Sequence, residues 1–491
     1  MPALRDMHDH PKHPTPHGST DASHDLADYL HGRTLILLSN REPYEHNRDA
    51  DGTVSAKTPA GGLVSALDPT MRRTHGVWVA WGSGDADREA SDDAGCVAVP
   101  PDDPSYTLRR VWLDEHDVDC YYLGFANSAL WPLCHLLVQH FSYRAEYWAR
   151  YTDVNARFAD AVAEQVRKAD GDAVVWVQDY HFALAPAMIR ERAPQAFVHQ
   201  FWHIPFPPPE ILRLLPTTVS AAVVRGLLGN DLVEFHTERY AANFLACVRD
   251  MVPEAEVYGE RHEVSYGGRT IEVGAFPISI DARAYEERAR SPDGERRAAE
   301  LRDRHARDGC QLGVSVDRID YTKGIPERLR AIDMLWTQQP ELCGRVTMIV
   351  VATPSRSEIP AYKSLEDEVV NTVAEINARH GSEAWTPIVL LHENVDADTL
   401  ASIYRAGDIC LVSSLQDGMN LVAKEFVACQ VDERGVLVLS RFAGASEEIE
   451  GALLINPFDV DGFVAGLREA LAMPPDERRR RMHGMRDKPR L

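Results

Sequence analysis

An apolar run at 312–316 leads into D-R-I-D-Y-T-K-G, which sets two cations, Arg318 and Lys323, just past the end of a predicted strand. Positive side chains fixed at such a strand end suit the stabilisation of a departing diphosphate. The chain carries 52 Lys and Arg against 75 Asp and Glu, a formal net charge of −23, so cations gathered in one place stand out. Further on, D-G-M-N-L-V-A-K-E, Asp417 to Glu425, puts a glycine turn at Gly418 before a predicted helix. The unpaired N–H groups and positive dipole end of that helix can face the same anion.

The acidic balance argues against general attraction to nucleic acid or to anionic membranes. No stretch reaches the roughly 18 uninterrupted apolar residues that a membrane span needs. Eight cysteines, at 96, 120, 134, 247, 310, 343, 410 and 429, form no C-x-x-C pair, which predicts a reduced, cytoplasmic protein. Residues 1–33 are rich in His, Asp and Pro without an apolar run, and read as a disordered tail, not a signal peptide. His8, His10, His13 and His17 in that tail offer only loose chelation of a transition metal.

The elements that must position the candidate residues begin at Thr34, where short apolar strands alternate with amphipathic helices, the pattern of an α/β fold with parallel sheets covered on both faces. Predicted strands in the first half cover 34–39, 77–81, 108–113, 174–177, 197–202 and 232–235, and 143–167 reads as one long helix without Pro or Gly. The second half predicts strands at 312–316, 346–351, 388–391, 409–412 and 436–439, each followed by a helix. The Arg, Glu and Asp rich segment 281–308 reads as a polar helix connecting the halves. A chain of 491 residues is too long for one ordinary core, and the expected division is 34–280 and 281–491. Open α/β sheets bind ligands at the carboxyl ends of their strands. Arg41, Asp179, His181, His203, Arg318 and Asp417 all fall at or just beyond such ends.

Seven segments in series, S-N-R-E-P-Y, P-A-G-G-L, Y-Y-L-G-F-A-N-S-A-L-W-P, V-Q-D-Y-H, H-I-P-F-P-P-P-E, V-D-R-I-D-Y-T-K-G and D-G-M-N-L-V-A-K-E, resemble the trehalose-6-phosphate synthase family. The resemblance implies a retaining glycosyltransferase with two Rossmann-like domains facing across a cleft, the GT-B type. It implies transfer of glucose from a nucleotide sugar, usually UDP-glucose, to glucose 6-phosphate, giving trehalose 6-phosphate. Carried over by position, Arg41, Tyr122, Trp131 and Arg356 would hold the acceptor's phosphate and sugar, with Asp179 as an acceptor-binding carboxylate. Two guanidinium forks suit a phosphate, which each can grip bidentately. On the donor side Gly61 and Gly62 would lie against the diphosphate, Arg318 and Lys323 would neutralise it, and Asn420, Leu421 and Val422 would line it. Asp417 would accept from hydroxyls of the transferred glucose, Glu425 from the ribose, and His203 would lie near the glucose.

Each assignment has a structural alternative. Arg41 can pair with Glu42 or Glu45, Tyr122 and Trp131 can be core aromatics, the glycine pair can be a plain loop, and Glu425 can be a solvated helix residue. The resemblance further implies front-face attack without a carboxylate nucleophile, so that the protein supplies positioning and anion stabilisation. No cofactor or metal is expected. D-A-D-G-T at 49–53 lacks the apolar strand of a phosphatase motif and reads as a turn, while Asp85-Ala-Asp87 and Asp396-Ala-Asp398 read as chance triplets in an acidic chain.

Two features depart from the family: Glu234 stands where glycine is usual, and the sequence stops where a further helix crossing back to the first domain is expected. Alternative readings are a glucosylglycerol-phosphate synthase using ADP-glucose and glycerol 3-phosphate, and a catalytically silent sugar-phosphate sensor. Homo-oligomer formation is left open.

Overall fold

The computed structural model describes residues 30–59, 62–356 and 358–487. Gly61 and residues 1–29 of the expected tail lie outside the described residues.

The first sheet takes twelve chain segments in order, less one hairpin. Its strands are β1 (Thr34–Arg41), β4 (Val77–Trp81), β5 (Cys96–Val99), β6 (Tyr106–Val111), β7 (Ala173–Gln178), β8 (Phe197–Phe201), β9 (Leu232–Phe235), β10 (Glu256–Tyr258), β11 (Glu263–Tyr266) and β12 (Arg269–Ala275). The hairpin β2 (Glu45–Arg48) and β3 (Val54–Lys57) stands apart. The sheet order is β10-β11-β12-β9-β8-β7-β1-β4-β6-β5. All neighbours from β12 to β6 run parallel, and antiparallel strands close both edges. In β1, T-L-I-L-L-S-N-R, six consecutive residues are buried, as a strand covered on both faces requires. The helix Ala145–Lys168 buries Tyr151, Val154, Phe158, Val162 and Val166, a stripe at three- and four-residue spacing.

The second sheet comprises β13 (Gln311–Arg318), β14 (Val346–Thr353), β15 (Ile388–Leu391), β16 (Ile409–Val412), β17 (Val436–Ser440) and β18 (Leu453–Ile455), all parallel, in the order β15-β14-β13-β16-β17-β18. Numbered from its own first strand this is the 3-2-1-4-5-6 order of the dinucleotide-binding fold. The parallel part of the first sheet follows the same logic. Each sheet therefore reverses its winding once, between β1 and β7 in the first and between β13 and β16 in the second. Ligands bind in the crevices at such reversal points.

The strands at the predicted positions form, with ends shifted by up to two residues. Missed were the hairpin, β10, β11 and β12, which are interrupted by polar residues, and β5 and β18, which are apolar but only four and three residues long. The segment at 49–53 is the hairpin turn, closed by Asp51 accepting from the Thr53 N–H and hydroxyl. The expected polar connector at 281–308 is instead two helices, Ala282–Arg290 and Pro292–His305. Ser291 caps the second, and Pro292 supplies no N–H to continue the first. Both pack on the second half, the first through Arg288 to Asp398 at 3.2 Å and the second through Arg297 to Thr399 at 3.0 Å and Arg302 to Asp408 at 2.9 Å. The final described helix, Pro475–Arg486, also docks there, with Arg478 bonded to the Asp408 carbonyl and Arg486 to that of Ala428. After β17 comes a short turn and β18, where a helix was expected. No helix among the described residues is long and apolar enough to cross a membrane.

Candidate active site

At the first reversal point, β1 ends on Arg41 and β7 is followed at once by Asp179. Glu42 does not pair with Arg41. It is buried against Arg110, Oε2 to Nε 2.7 Å, and accepts from the Ser83 N–H, leaving the exposed Arg41 to point its guanidinium at Tyr122 Oη, 3.5 Å away. Tyr122 sits on a wide-turn segment, Val118–Leu130, with i→i+5 spacing of its bonds, a distortion often found at functional sites. Burial pushes its phenol up, but Arg356 and Arg41 outweigh burial and hold it at about 8.

Asp179 has φ 70° and ψ 178°, a conformation nearly confined to glycine and worth about 1–3 kcal/mol of strain. The strain turns its carboxylate onto the His203 N–H at 3.0 Å. Burial raises this carboxyl to about 7 against the pull of the N–H groups of Tyr180, His203 and Ile204. His203 follows β8, and burial lowers its imidazole to about 4, so the ring is neutral at physiological pH. Its Nε2 lies 2.9 Å from Gln178 Oε1. With the amide so assigned, the ring proton is on Nε2 and Nδ1 is an acceptor.

At the second reversal point, β13 ends on Arg318, which is exposed and makes no hydrogen bond or ion pair to a described residue. The next turn delivers Lys323, whose Nζ meets Asp417 Oδ2 at 2.6 Å. Gly324, at φ +61°, then starts the helix Ile325–Gln338. A Cβ there would lie 2.2 Å from the Ser413 carbonyl oxygen, so the site requires glycine twice over. Below the reversal point the buried Arg328 joins Asp317 at 2.8 Å to Ser413 Oγ at 3.0 Å, locking the ends of β13 and β16 together. Asp417 also accepts from Ser414 Oγ and Asn420 Nδ2, both at 3.1 Å. Burial disfavours the Asp417 carboxylate, yet Lys323 above all, and the Asn420 amide, bring it down to about 2. Asn420, at φ 73°, caps the helix Leu421–Cys429, whose first turn carries the half-buried Leu421 and Val422. One turn on, Glu425 accepts from Tyr404 Oη at 2.8 Å, and burial raises its carboxyl.

The two reversal points face each other. Arg356, beyond β14 at φ 50°, stacks its guanidinium 4.2 Å from the Trp131 ring centre and comes within 3.5 Å of Tyr180 Oη, both in the first sheet's half. Its other contacts, Asp320 at 3.0 Å and Tyr362 Oη at 2.7 Å, are in the second half. Gly418 lies against the first half so closely that a Cβ would fall 2.1 Å from the His203 carbonyl oxygen. Tyr240 Oη donates to the Asp417 carbonyl at 3.0 Å, and His140 stacks on Tyr321 at 4.0 Å.

Arg41, Tyr122, Trp131 and Arg356 thus form one cluster, and Lys323, Asp417 and Asn420 another, with Arg318 at the same strand end as the second. Gly62 is the first residue of the helix Gly62–Thr74. Sequence reasoning missed Asp320, which is buried, charged and the partner that aims Arg356. Its signal was its place two residues after Arg318, inside the same turn. His135 was also missed. Burial holds it neutral at about 4, its Nδ1 donates to the Trp131 carbonyl at 2.7 Å, and it senses both Asp417 and Lys323. The acidic triplets have structural work. Asp87 pairs with buried Arg110 at 2.9 Å, Asp85 accepts from the Arg48 N–H, and Asp396 caps a helix through the Asp398 and Thr399 N–H groups. A further interlobe cavity of about 340 Å³, lined by His135, Arg239, Tyr240, Gln416 and Phe442 among others, contains none of the charged residues predicted from sequence.

Residues 33–488 match the model of glycosyltransferase family 20. The chain is 40% identical over 472 residues to a trehalose-6-phosphate synthase of Mycolicibacterium vanbaalenii, covering 93% of this chain and 92% of that one. A solved E. coli structure bound with UDP-2-fluoro glucose superposes with a TM-score of 0.80 at 32% identity, covering 92% of this chain and 94% of that one. An alpha,alpha-trehalose-phosphate synthase (UDP-forming) of Burkholderia xenovorans, in complex with glucose-6-phosphate, gives 0.80 at 31% identity, covering 92% and 95%. With the paired reversal points and a family match spanning nearly the whole sequence, the chain belongs to glycosyltransferase family 20.

Proposed function

We propose that the chain moves glucose from UDP-glucose to glucose 6-phosphate with retention, and that the two clusters divide the substrates between them. Trehalose 6-phosphate and UDP are the products. The observation that carries the division is the Arg356 bridge. A guanidinium from the second half stacked on Trp131 and converging with Arg41 on Tyr122 gives a compact cationic clamp for a phosphate. Residues 34–280 then act as the acceptor domain, with Arg356 reaching into it from 281–491, which act as the donor domain, in the cytoplasm.

In this reading Arg318 and Lys323 take up the charge that develops on the leaving diphosphate, helped by the N–H groups opening the helix Leu421–Cys429. Asp417, kept ionised by Lys323, accepts from glucose hydroxyls, and Glu425 from the ribose. Asp179 accepts from the acceptor sugar when ionised. The bond from the anomeric carbon to the diphosphate oxygen breaks as the acceptor hydroxyl forms its bond on the same face. The hydroxyl proton passes to the leaving phosphate oxygen, so no protein carboxylate is consumed. Neutral His203 contributes a hydrogen bond near the transferred glucose without adding charge.

The deciding assay crosses UDP-, ADP- and GDP-glucose with glucose 6-phosphate and glycerol 3-phosphate and identifies the product linkage. Turnover with UDP-glucose and glucose 6-phosphate to trehalose 6-phosphate is expected. Exclusive use of glycerol 3-phosphate, or ligand binding without product, would overturn the assignment.

A further inference from the structure

Away from the cleft, three side chains of metal-binding type converge. His116 and Cys120 lie four residues apart on the helical segment that opens the Val118–Leu130 stretch, and Glu146 comes from the first turn of Ala145–Lys168. One donor atom from each lies within 4.8 Å of those of the other two. The spacing between His116 Nδ1 and Cys120 Sγ is 3.6 Å. A tetrahedral zinc with Zn–S of about 2.3 Å and Zn–N of about 2.05 Å separates those two atoms by roughly 3.5–3.6 Å, so the pair stands at the required distance before any ion arrives.

The scaffold around them is fixed. Asp114 and Asp117 form a reciprocal cap at the start of this segment, and Asp117 is clamped by Arg157 at 2.6 Å and Arg150 at 3.4 Å. Cys120 is 4% exposed, which makes its sulfur the inner ligand. His116 and Glu146, with side chains 50% and 61% exposed, leave an open approach from solvent. Glu146 now sits 3.6 Å from His116 Nε2, the ring nitrogen that would not hold the ion, and its exposed side chain must turn towards Nδ1 and Sγ to complete the set. Asp119, Arg144 and Arg150 are the other charges near the thiol.

We propose that His116, Cys120 and Glu146 bind one borderline-soft divalent cation of the zinc class, with water completing a tetrahedron. Binding releases the thiol proton, because thiolate is the ligand. The ion ties Cys120 to the helix Ala145–Lys168, two residues ahead of Tyr122. It stands outside the transfer chemistry, so chelation leaves turnover intact.

The test is titration of the reduced full-length chain with Co²⁺, read by the near-ultraviolet thiolate-to-cobalt charge-transfer band. The His-rich segment at 8–17 cannot produce this band, since the first cysteine in the chain is Cys96. A band that saturates at one equivalent and is displaced by Zn²⁺ is expected. It should vanish in Cys120→Ser and need at least about tenfold more Co²⁺ in His116→Ala. His116 is exposed, so that variant tests the site even if the buried serine impairs folding. No band, or one unchanged in His116→Ala, would overturn the proposal.

Discussion

Replacing Arg318 and Lys323 one at a time by alanine should separate two consequences that a shared role in catalysis would otherwise merge. Lys323 and Asp417 meet at 2.6 Å with side chains only 16% and 13% exposed. At an effective dielectric of about 20 their gross attraction is about 6 kcal/mol. Desolvation offsets much of that, and removing one partner of such a pair costs about 3 kcal/mol because the other charge stays buried. Arg318 is exposed and unpaired among the described residues, so its loss should change stability by no more than about 0.5 kcal/mol. Each cation lost from a leaving diphosphate should cost about 3 kcal/mol of transition-state stabilisation, or more than a hundredfold in kcat. Urea unfolding and steady-state kinetics on both variants provide the readout. Both should lose turnover with little change in KM for the acceptor, and only Lys323→Ala should lose stability. The pair also has a pH signature. Asp417 is lowered from 3.8 to about 2, so its contribution is full above pH 4 and fades as pH falls towards 2, a slope that Lys323→Ala should lose. Near-normal turnover in Arg318→Ala, or equal destabilisation by both changes, would refute the reasoning.

Tyr122 should give the acceptor KM an alkaline limb: above pH about 8 its phenolate neutralises the clamp and repels the phosphate, so KM rises, and Tyr122→Phe should flatten that rise. Asp179 is raised to about 7, so the native state holds a proton that the unfolded chain has released, and stability should fall as pH rises from 4 through 7. Asp179→Asn should remove that slope in urea unfolding while lowering kcat/KM for glucose 6-phosphate; an unchanged slope would show that the carboxyl titrates normally. Gly418→Ala puts a methyl 2.1 Å from a backbone oxygen of the other half, which should separate the halves, enlarge the radius of gyration in small-angle scattering and cost about 2 kcal/mol or more.

How much was legible in the sequence varies with where each contact comes from. The central parallel strands could be read because strands buried on both faces carry near-continuous apolar runs, as L-I-L-L and M-I-V-V are. Edge strands such as E-V-Y at 256–258 are half exposed and carry no such constraint, so they were missed. The order of motifs fixed which residues lie at strand ends, and with it Arg41, Asp179 and Arg318. Pairings across the chain were beyond reach. That Lys323 meets Asp417 rather than standing free, that Glu42 belongs to Arg110, and that Arg356 crosses to Trp131 depend on partners 94, 68 and 225 positions away, brought together only by the folded sheets. Chemical type is local and survives in a one-dimensional string. Protonation state, by contrast, follows from burial and neighbouring charge, so only the tertiary structure could drive Asp417 down to about 2 and Asp179 up to about 7 from the same side chain.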